Sequence, residues 1–273
     1  MNDIRQPAAV ATQNGNEERS APALKGVRRA LEVLEHLAIH QGRATDVAEA
    51  LGVSWTTLHR TLSQLEQDGF LARDPDTNRY GIGPRMWFIG TSYLANHPVV
   101  EVAQPYLETG IEGIDFTVQL VERSGRLSVV LYSRHATGEV ITKATYGCHF
   151  PLHCGSKGQV LLAHAKPDFI EEYLAGHLEK LTPDTETSPN AMREILAEIR
   201  ELGYGRTVGD VQRFTASLAA PVFDRHDRVV ASVCFICVRS VFRDEMRESL
   251  LREELLRTSN SISFGLGWRP GTT

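Results

Sequence analysis

The sequence predicts a mixed α/β (α+β) protein of two domains: an N-terminal winged helix-turn-helix and a larger domain in which strands and helices alternate. Three observations carry that expectation. At 273 residues the chain is closer to two domains than to one or three. Apolar residues at helical spacing begin abruptly at Val27, after residues 1–23, which hold almost no large apolar side chains and read as a disordered arm. From Phe116 the apolar period changes to strand alternation, and helices and strands then intermix.

Each element follows in order. Val27, Ala30, Leu31, Val33, Leu34, Leu37 and Ala38 make a first amphipathic helix, ending near Gly42. Thr45 is the expected N-cap of a short second helix carrying Val47, Ala48 and Leu51. Gly52 stops it, because glycine takes the left-handed turn without cost. Ser54 is the expected cap of a third helix with Leu58, Leu62 and Leu65 as its inner stripe, ending at Gly69. Phe70 to Ala72 and Tyr80 to Ile82 read as short strands around a turn-rich tip at 74–78. These elements fill a domain over 24–84, and Met86 to Leu94 is a helix within a linker over 85–97.

A second domain is expected over 98–267, with a flexible tail at 268–273. Pro98 opens a helix reaching about Glu112, with Pro105 as a kink. Phe116 to Glu122 and Leu127 to Ser133 are strands joined by Ser124-Gly125. Helices are expected from about Lys157 to His164 and from Ser188-Pro189 to Leu202. Leu218 to Phe223 and Val229 to Val238 are strands, and a last helix runs from Arg243 to about Phe264. No internal repeat is present.

Composition narrows the function classes. A net charge of −5 favours solubility and does not itself argue for nucleic acid. Four cysteines, at 148, 154, 234 and 237, are too few for a disulfide scaffold and fit a reducing cytoplasm. The longest apolar run, Val229 to Val238, is too short to span a bilayer as a helix, and the N-terminus lacks the apolar core of a signal peptide.

Geometry supplies what bulk charge does not. The outer face of the third helix carries Thr56, Thr57, His59, Arg60 and Ser63, polar side chains suited to base edges and phosphates in a major groove of double-stranded DNA. Arg73 and Arg79 flank the wing tip, where phosphate contacts fall. Arg28, Thr45, Ser54 and Trp55 complete the set of candidate DNA contacts. A helical docking or dimerisation domain with a merely solvated polar face is the alternative, since residues 25–85 hold as many acidic as basic side chains. Trp87, Phe88, Leu94 and Leu37 offer more apolar surface than a three-helix domain covers, which predicts a homodimer on a palindromic site.

The segments "RALEVLEHLA" and "DVAEALGVSWTTLHRTLSQLEQDGFLARDPDTNRYGIGPRMWFIG" strongly resemble the DNA-binding domain of the IclR family of bacterial transcription regulators. The resemblance continues through "HPVVEVAQPYLE", "FPLHCGSKGQVLLAHA", "RELGYGRTVGD" and "SLAAPVFDRHDRVVASV". It implies a helical linker to an effector-binding domain of GAF-like topology, assembly as a dimer or dimer of dimers, and ligand-controlled transcription, repression being the favoured sense. No cofactor is implied. Trp55 departs from the family, which commonly has a basic residue at the start of the recognition helix.

Carried over by residue, the resemblance places the effector pocket at Ser156, Lys157, Thr207, Asp210 and Ser217, with Phe150, Gly155 and Cys234 beside them. The backbone amides of 156–158 are then donors at a helix N-terminus, a seat for a carboxylate. Lys157 either adds its charge there or points to solvent. Where the family often has acidic residues after "GY" and Lys at 159, this chain has Gly205 to Gly209 and Gln159. With bulky Phe150, Tyr146 and Phe214 nearby, an aromatic or apolar carboxylate is favoured over a very small oxoacid.

Two other chemistries are carried as alternatives. Cys148, His149, His153 and Cys154 are zinc-ligand types, but an extended 149–154 turns Cys154 away from the two histidines. Cys234 and Cys237 stand three apart on a strand, hence on opposite faces, which fits buried core residues over a redox pair. Cys154-Gly155-Ser156-Lys157-Gly158 superficially resembles a nucleophile elbow, so an acyl-transfer or hydrolytic enzyme using the Cys154/Ser156 loop is the second reading. No recognisable triad order accompanies it.

Overall fold

The structure, a computed structural model, describes residues 22–136 and 147–271, with side chains from Lys25 onward. The proposed arm over 1–23 lies almost wholly outside the described residues, as do Tyr146 and the end of the tail. The chain divides into two compact units between Asn96 and His97.

In the first unit, α1 (Pro22–Ile39), α2 (Ala44–Leu51) and α3 (Trp55–Gln67) precede the antiparallel hairpin of β1 (Leu71–Arg73) and β2 (Tyr80–Ile82). Their shared core is Val33, Leu37, Val47, Leu58, Leu62, Leu71 and Tyr80, one apolar stripe from each element. Helix α4 (Pro84–Ala95) follows the hairpin. Several expectations are corrected here. Helix α1 ends at Ile39, three residues before Gly42. Arg43, not Thr45, caps α2, and its amide donates to Asp46 at 3.2 Å, while Thr45 sits inside the helix with its hydroxyl on the same carboxylate. Ser54 does stand at the N-cap of α3, but its hydroxyl donates to Thr57 Oγ1 at 2.9 Å instead of capping the backbone. Gly52 closes α2 at φ +63°, the left-handed turn the sequence required. Leu37 is buried in the core, so it offers no surface to a partner.

The second unit is built on a six-stranded antiparallel sheet in the order β5-β4-β3-β8-β7-β6. The strands are β3 (Thr117–Ser124), β4 (Leu127–Arg134), β5 (His149–Pro151), β6 (Gly205–Val208), β7 (Thr215–Phe223) and β8 (Val229–Val238). Helices α6 (Gly155–Ala163), α7 (Pro167–Ala175) and α8 (Pro189–Leu202) pack into one core with the inner strands. Against the sheet also lie α5 (Pro98–Leu107) and α9 (Glu245–Gly265), the latter preceded by a 3-10 turn, Arg239–Arg243. Helix α5 stops at Leu107, two residues past Pro105, well short of Glu112. Helix α7 and strand β6 were not read from the sequence. The first is short, and the second is a four-residue edge strand paired only with β7, with too few residues for a period to show.

Among the described residues no helix is long and apolar enough to cross a membrane. Cys234 and Cys237 are both free and buried on β8, as their strand spacing predicted.

Candidate functional site

Helix α3 owes its place to two buried leucines, Leu58 and Leu62, which pin its inner face to the core. What remains outside is Trp55, Thr56, His59, Arg60 and Ser63, all exposed, with Thr57 half-buried beside Ser54. Arg60 makes no hydrogen bond or ion pair with the described residues, so its donors are available to an outside acceptor. Trp55 stacks on His59 with ring centroids 4.9 Å apart, which fixes the indole along the helix surface instead of leaving it to turn back into the core. Thr45 and Arg28 are also exposed, on α2 and α1.

The wing is tied to this face. Arg79 donates to the Gln41 carbonyl at 2.6 Å, and Arg73 reaches Asn78 Oδ1 and stands over the Tyr80 ring. Both arginines are thus held against their own domain, not extended from the tip. Arg43, which the sequence reading missed, donates from Nε to the Thr77 carbonyl at 3.2 Å and joins the start of α2 to the wing. Arg43, Thr45, Trp55, His59 and Arg73 line one groove there. A lone basic residue just ahead of the second helix was the available signal.

The second unit holds a pocket at the start of α6. Strand pairing sets Thr207 opposite Ser217, and Ser217 opposite Ile236, in one row across β6, β7 and β8. Phe150, Gly155, Lys157, Thr207, Asp210, Ser217 and Cys234 all line this pocket. Ser156 stands just behind the lining, its hydroxyl 2.8 Å from Ser217 Oγ, which in turn lies 2.9 Å from Thr207 Oγ1. Phe214 is not part of it, for its ring is 70% exposed. Gly158 allows α6 to lie this close, since a Cβ there would stand 2.6 Å from the Leu152 carbonyl oxygen.

The electrostatics differ from the expected seat on free amides. The protein itself occupies the first of them: Ser156 N–H bonds Thr207 Oγ1 at 3.2 Å, and beside it Gly155 N–H bonds Asp210 Oδ2 at 2.7 Å. Lys157 does not point to solvent. It is buried, donates from Nζ to Gln119 Oε1 at 2.8 Å, and lies 4.5 Å from the Phe150 ring centre. Burial pulls its pKa down, and among the described residues the titratable groups that oppose this are the thiols of Cys234 and Cys148, not carboxylates. Burial also pushes Asp210 up to about 6, against the Gly155 amide, which favours its charged form. Gln119 gave a signal in the sequence, a polar residue inside the apolar strand Val118 to Val121, that was not taken up.

Neither alternative chemistry is assembled. His153 spends its ring nitrogens on Tyr173 Oη at 2.8 Å and the Glu179 carbonyl at 2.9 Å, and burial lowers its pKa. Cys154 is buried beside it with its thiol pushed up by that burial, the opposite of an activated nucleophile. Cys148 and His149 sit half-buried at the edge strand β5 and just before it. No group of three or more metal-ligand side chains gathers among the described residues. Ser156 bonds Ser217 and Cys234, and no histidine base reaches it among the described residues.

Known proteins share this fold and its order of domains. The IclR helix-turn-helix domain matches residues 26–75, and the C-terminal domain of bacterial IclR transcriptional regulators matches residues 91–264. The DNA-binding transcriptional repressor YiaJ of Escherichia coli is 27% identical over 92% of each chain. A solved IclR regulator from Alicyclobacillus acidocaldarius is 26% identical with a TM-score of 0.75, covering 91% of this chain and 100% of its own. An IclR homologue from Microbacterium hydrocarbonoxydans, solved with 4-hydroxybenzoate, shares the fold at a TM-score of 0.73 and 24% identity, over 89% of this chain and 99% of its own. With both halves matched in order, and with relatives that regulate transcription instead of catalysing reactions, the chain belongs to the IclR family of bacterial DNA-binding transcriptional regulators.

Proposed function

We propose that this regulator reads a palindromic operator through α3 in the cytoplasm, represses from it, and responds to a small carboxylate with an aromatic or otherwise apolar body bound in the α6 pocket. One observation carries the ligand class: Lys157 Nζ is buried at that pocket with one neutral hydrogen-bond partner and no carboxylate among the described residues. A buried ammonium is costly unless an anion meets it. An anionic ligand answers that need, Phe150, Val211 and Ile236 suit an apolar body, and Thr207 and Ser217 add hydroxyls. The 4-hydroxybenzoate held by the Microbacterium homologue belongs to this class, and the repressor activity of YiaJ supports the sense of regulation.

A thermal-shift screen of carboxylates, 4-hydroxybenzoate included, tests the pocket, because a ligand that binds the folded state alone raises the melting temperature. The wild type is expected to gain stability with at least one of them and Lys157→Met to gain none. An equal shift in the Lys157→Met protein overturns the assignment.

Assembly as a homodimer or dimer of dimers rests on α4, which buries none of its residues and exposes Trp87 at 71% and Phe88 at 70%, with Ile89 and Tyr93 beside them. Apolar surface concentrated so on one helix favours a partner copy. A monomer whose mass stays constant over micromolar concentrations by light scattering rules this out.

A further inference from the structure

A second cavity, an open groove between α8 and β6, is bordered by Asp184, Glu186 and Glu198 and by two buried side chains, Gln159 and Asp210. Those two make it more than an acidic patch. Gln159 is 2% exposed and Asp210 5%, and the Oε1 of one and the Oδ1 of the other have no hydrogen-bond partner among the described residues. Their remaining polar atoms are engaged: Gln159 Nε2 donates to the His153 carbonyl at 3.0 Å, and Asp210 Oδ2 accepts from Gly155 N–H. With Asp210 ionised both orphaned atoms are acceptors only, so what they lack is a donor. A buried acceptor left unsatisfied is costly, so a donor that reaches it is favoured.

We propose that this groove binds an aliphatic amine or diamine, its ammonium donating to Gln159 Oε1 and Asp210 Oδ1 among the surrounding carboxylates. A cation is selected over a neutral donor because Asp184 and Glu198 make no hydrogen bond or ion pair through their carboxylates with the described residues. Burial is the main cause that raises Asp210, and the charges of Asp184 and Glu186 add to it, so negative charge is crowded there. Arg206 does not answer this need, since Glu248 takes its guanidinium at 2.6 and 3.2 Å and it lies over the Phe242 ring. An organic cation is selected over a metal ion because the described acids do not converge to ligand distance, whereas Ile195, Ile199 and Leu202 give an alkyl stem an apolar wall. Asp210 borders both this groove and the neighbouring pocket, whereas Gln159, Asp184, Glu186 and Glu198 border the groove and not that pocket.

Calorimetric titration of the full chain with 1,4-diaminobutane at low ionic strength tests the site, with 1-butanol and magnesium chloride as parallel titrants. The diamine is expected to bind the wild type, 1-butanol not at all, and the double variant Asp184→Asn, Glu198→Gln to bind the diamine at least about fivefold more weakly. Both substitutions are at exposed positions, where they are expected to leave folding intact. Gln159→Lys, which places a tethered ammonium at the same spot, is expected to abolish diamine binding. Equal affinity in the double variant, no binding by the wild type, or a magnesium response that matches the diamine's overturns the proposal.

Discussion

Helices α3 and α6 are built on opposite plans. Only Leu58 and Leu62 of α3 are buried, whereas every residue of α6 is. A helix that keeps one polar face in water can change its outer side chains without disturbing the core, which suits a surface that must fit a DNA sequence. A helix buried on all sides has no such freedom. Each polar group it carries must find a partner, so Ser156, Lys157 and Gln159 are constrained by neighbours on other elements. The two sites are therefore expected to respond to mutation in different currencies, affinity alone for α3 and stability together with affinity for α6.

The largest contrast is in stability. Leu162→Ala in the middle of α6 is expected to cost about 2–5 kcal/mol of unfolding free energy, and Ser63→Ala on the outer face of α3 less than about 0.5, both read by denaturant melts. A small loss for Leu162→Ala would dissolve the distinction. Next comes Arg60→Ala, expected to weaken binding to the native operator by about 1–3 kcal/mol, roughly fivefold to 150-fold, with an unchanged melting temperature. Unchanged affinity would reject α3 as the reader.

Ser217→Val keeps the shape of the pocket wall but removes a hydroxyl bonded to Ser156 and Thr207. A carboxylate found by the thermal screen is expected to bind it about five- to tenfold more weakly, while operator affinity without ligand stays the same. If operator affinity falls instead, the wall serves the DNA-binding state and not the ligand.

The smallest effect is a slope. Asp210 titrates at about 6 in the folded protein against 3.8 unfolded, so at pH 4–6 the folded state holds a proton that the unfolded state has released. Its contribution to stability is therefore fully present below pH 3.8 and is lost as pH rises through about 6. His153 and His164, whose pKa values burial lowers, act in the other direction on acidification. The difference between wild type and Asp210→Asn isolates the aspartate. Between pH 7 and 5 the wild type is expected to gain stability relative to the variant, by less than about 1.4 kcal/mol per pH unit. Parallel profiles would place Asp210 in water.

The legible parts of the fold are those where a period runs long enough to show. Val229 to Val238 was read to the residue, and the core stripes of α1 and α3 fell where the spacing put them. The same reasoning missed α7 and β6 and overran α5, because short or edge elements are set by what they pack against and not by their own pattern. At the site, the residues around the α6 start were chosen from the sequence and the structure gathers them. Their partners were not visible: the Ser156 amide expected to await a ligand is already held by Thr207, and Lys157 faces Gln119, 38 residues away in sequence.

The sequence by itself determined the order of elements in the first unit, the helix-turn-helix with its outward polar face and the family, because these depend on local period, glycine position and side-chain type. Only the tertiary structure decided which polar groups are satisfied and which are left wanting. Whether Lys157 is a solvated charge or a buried one, and whether Asp210 Oδ1 has a donor, depends on atoms brought together from β3, α6 and the residues after β6. The reason is the cost of desolvation: a polar side chain written in a sequence is nearly neutral in energy until the fold takes away its water, and only then does its partner, or the lack of one, have a consequence.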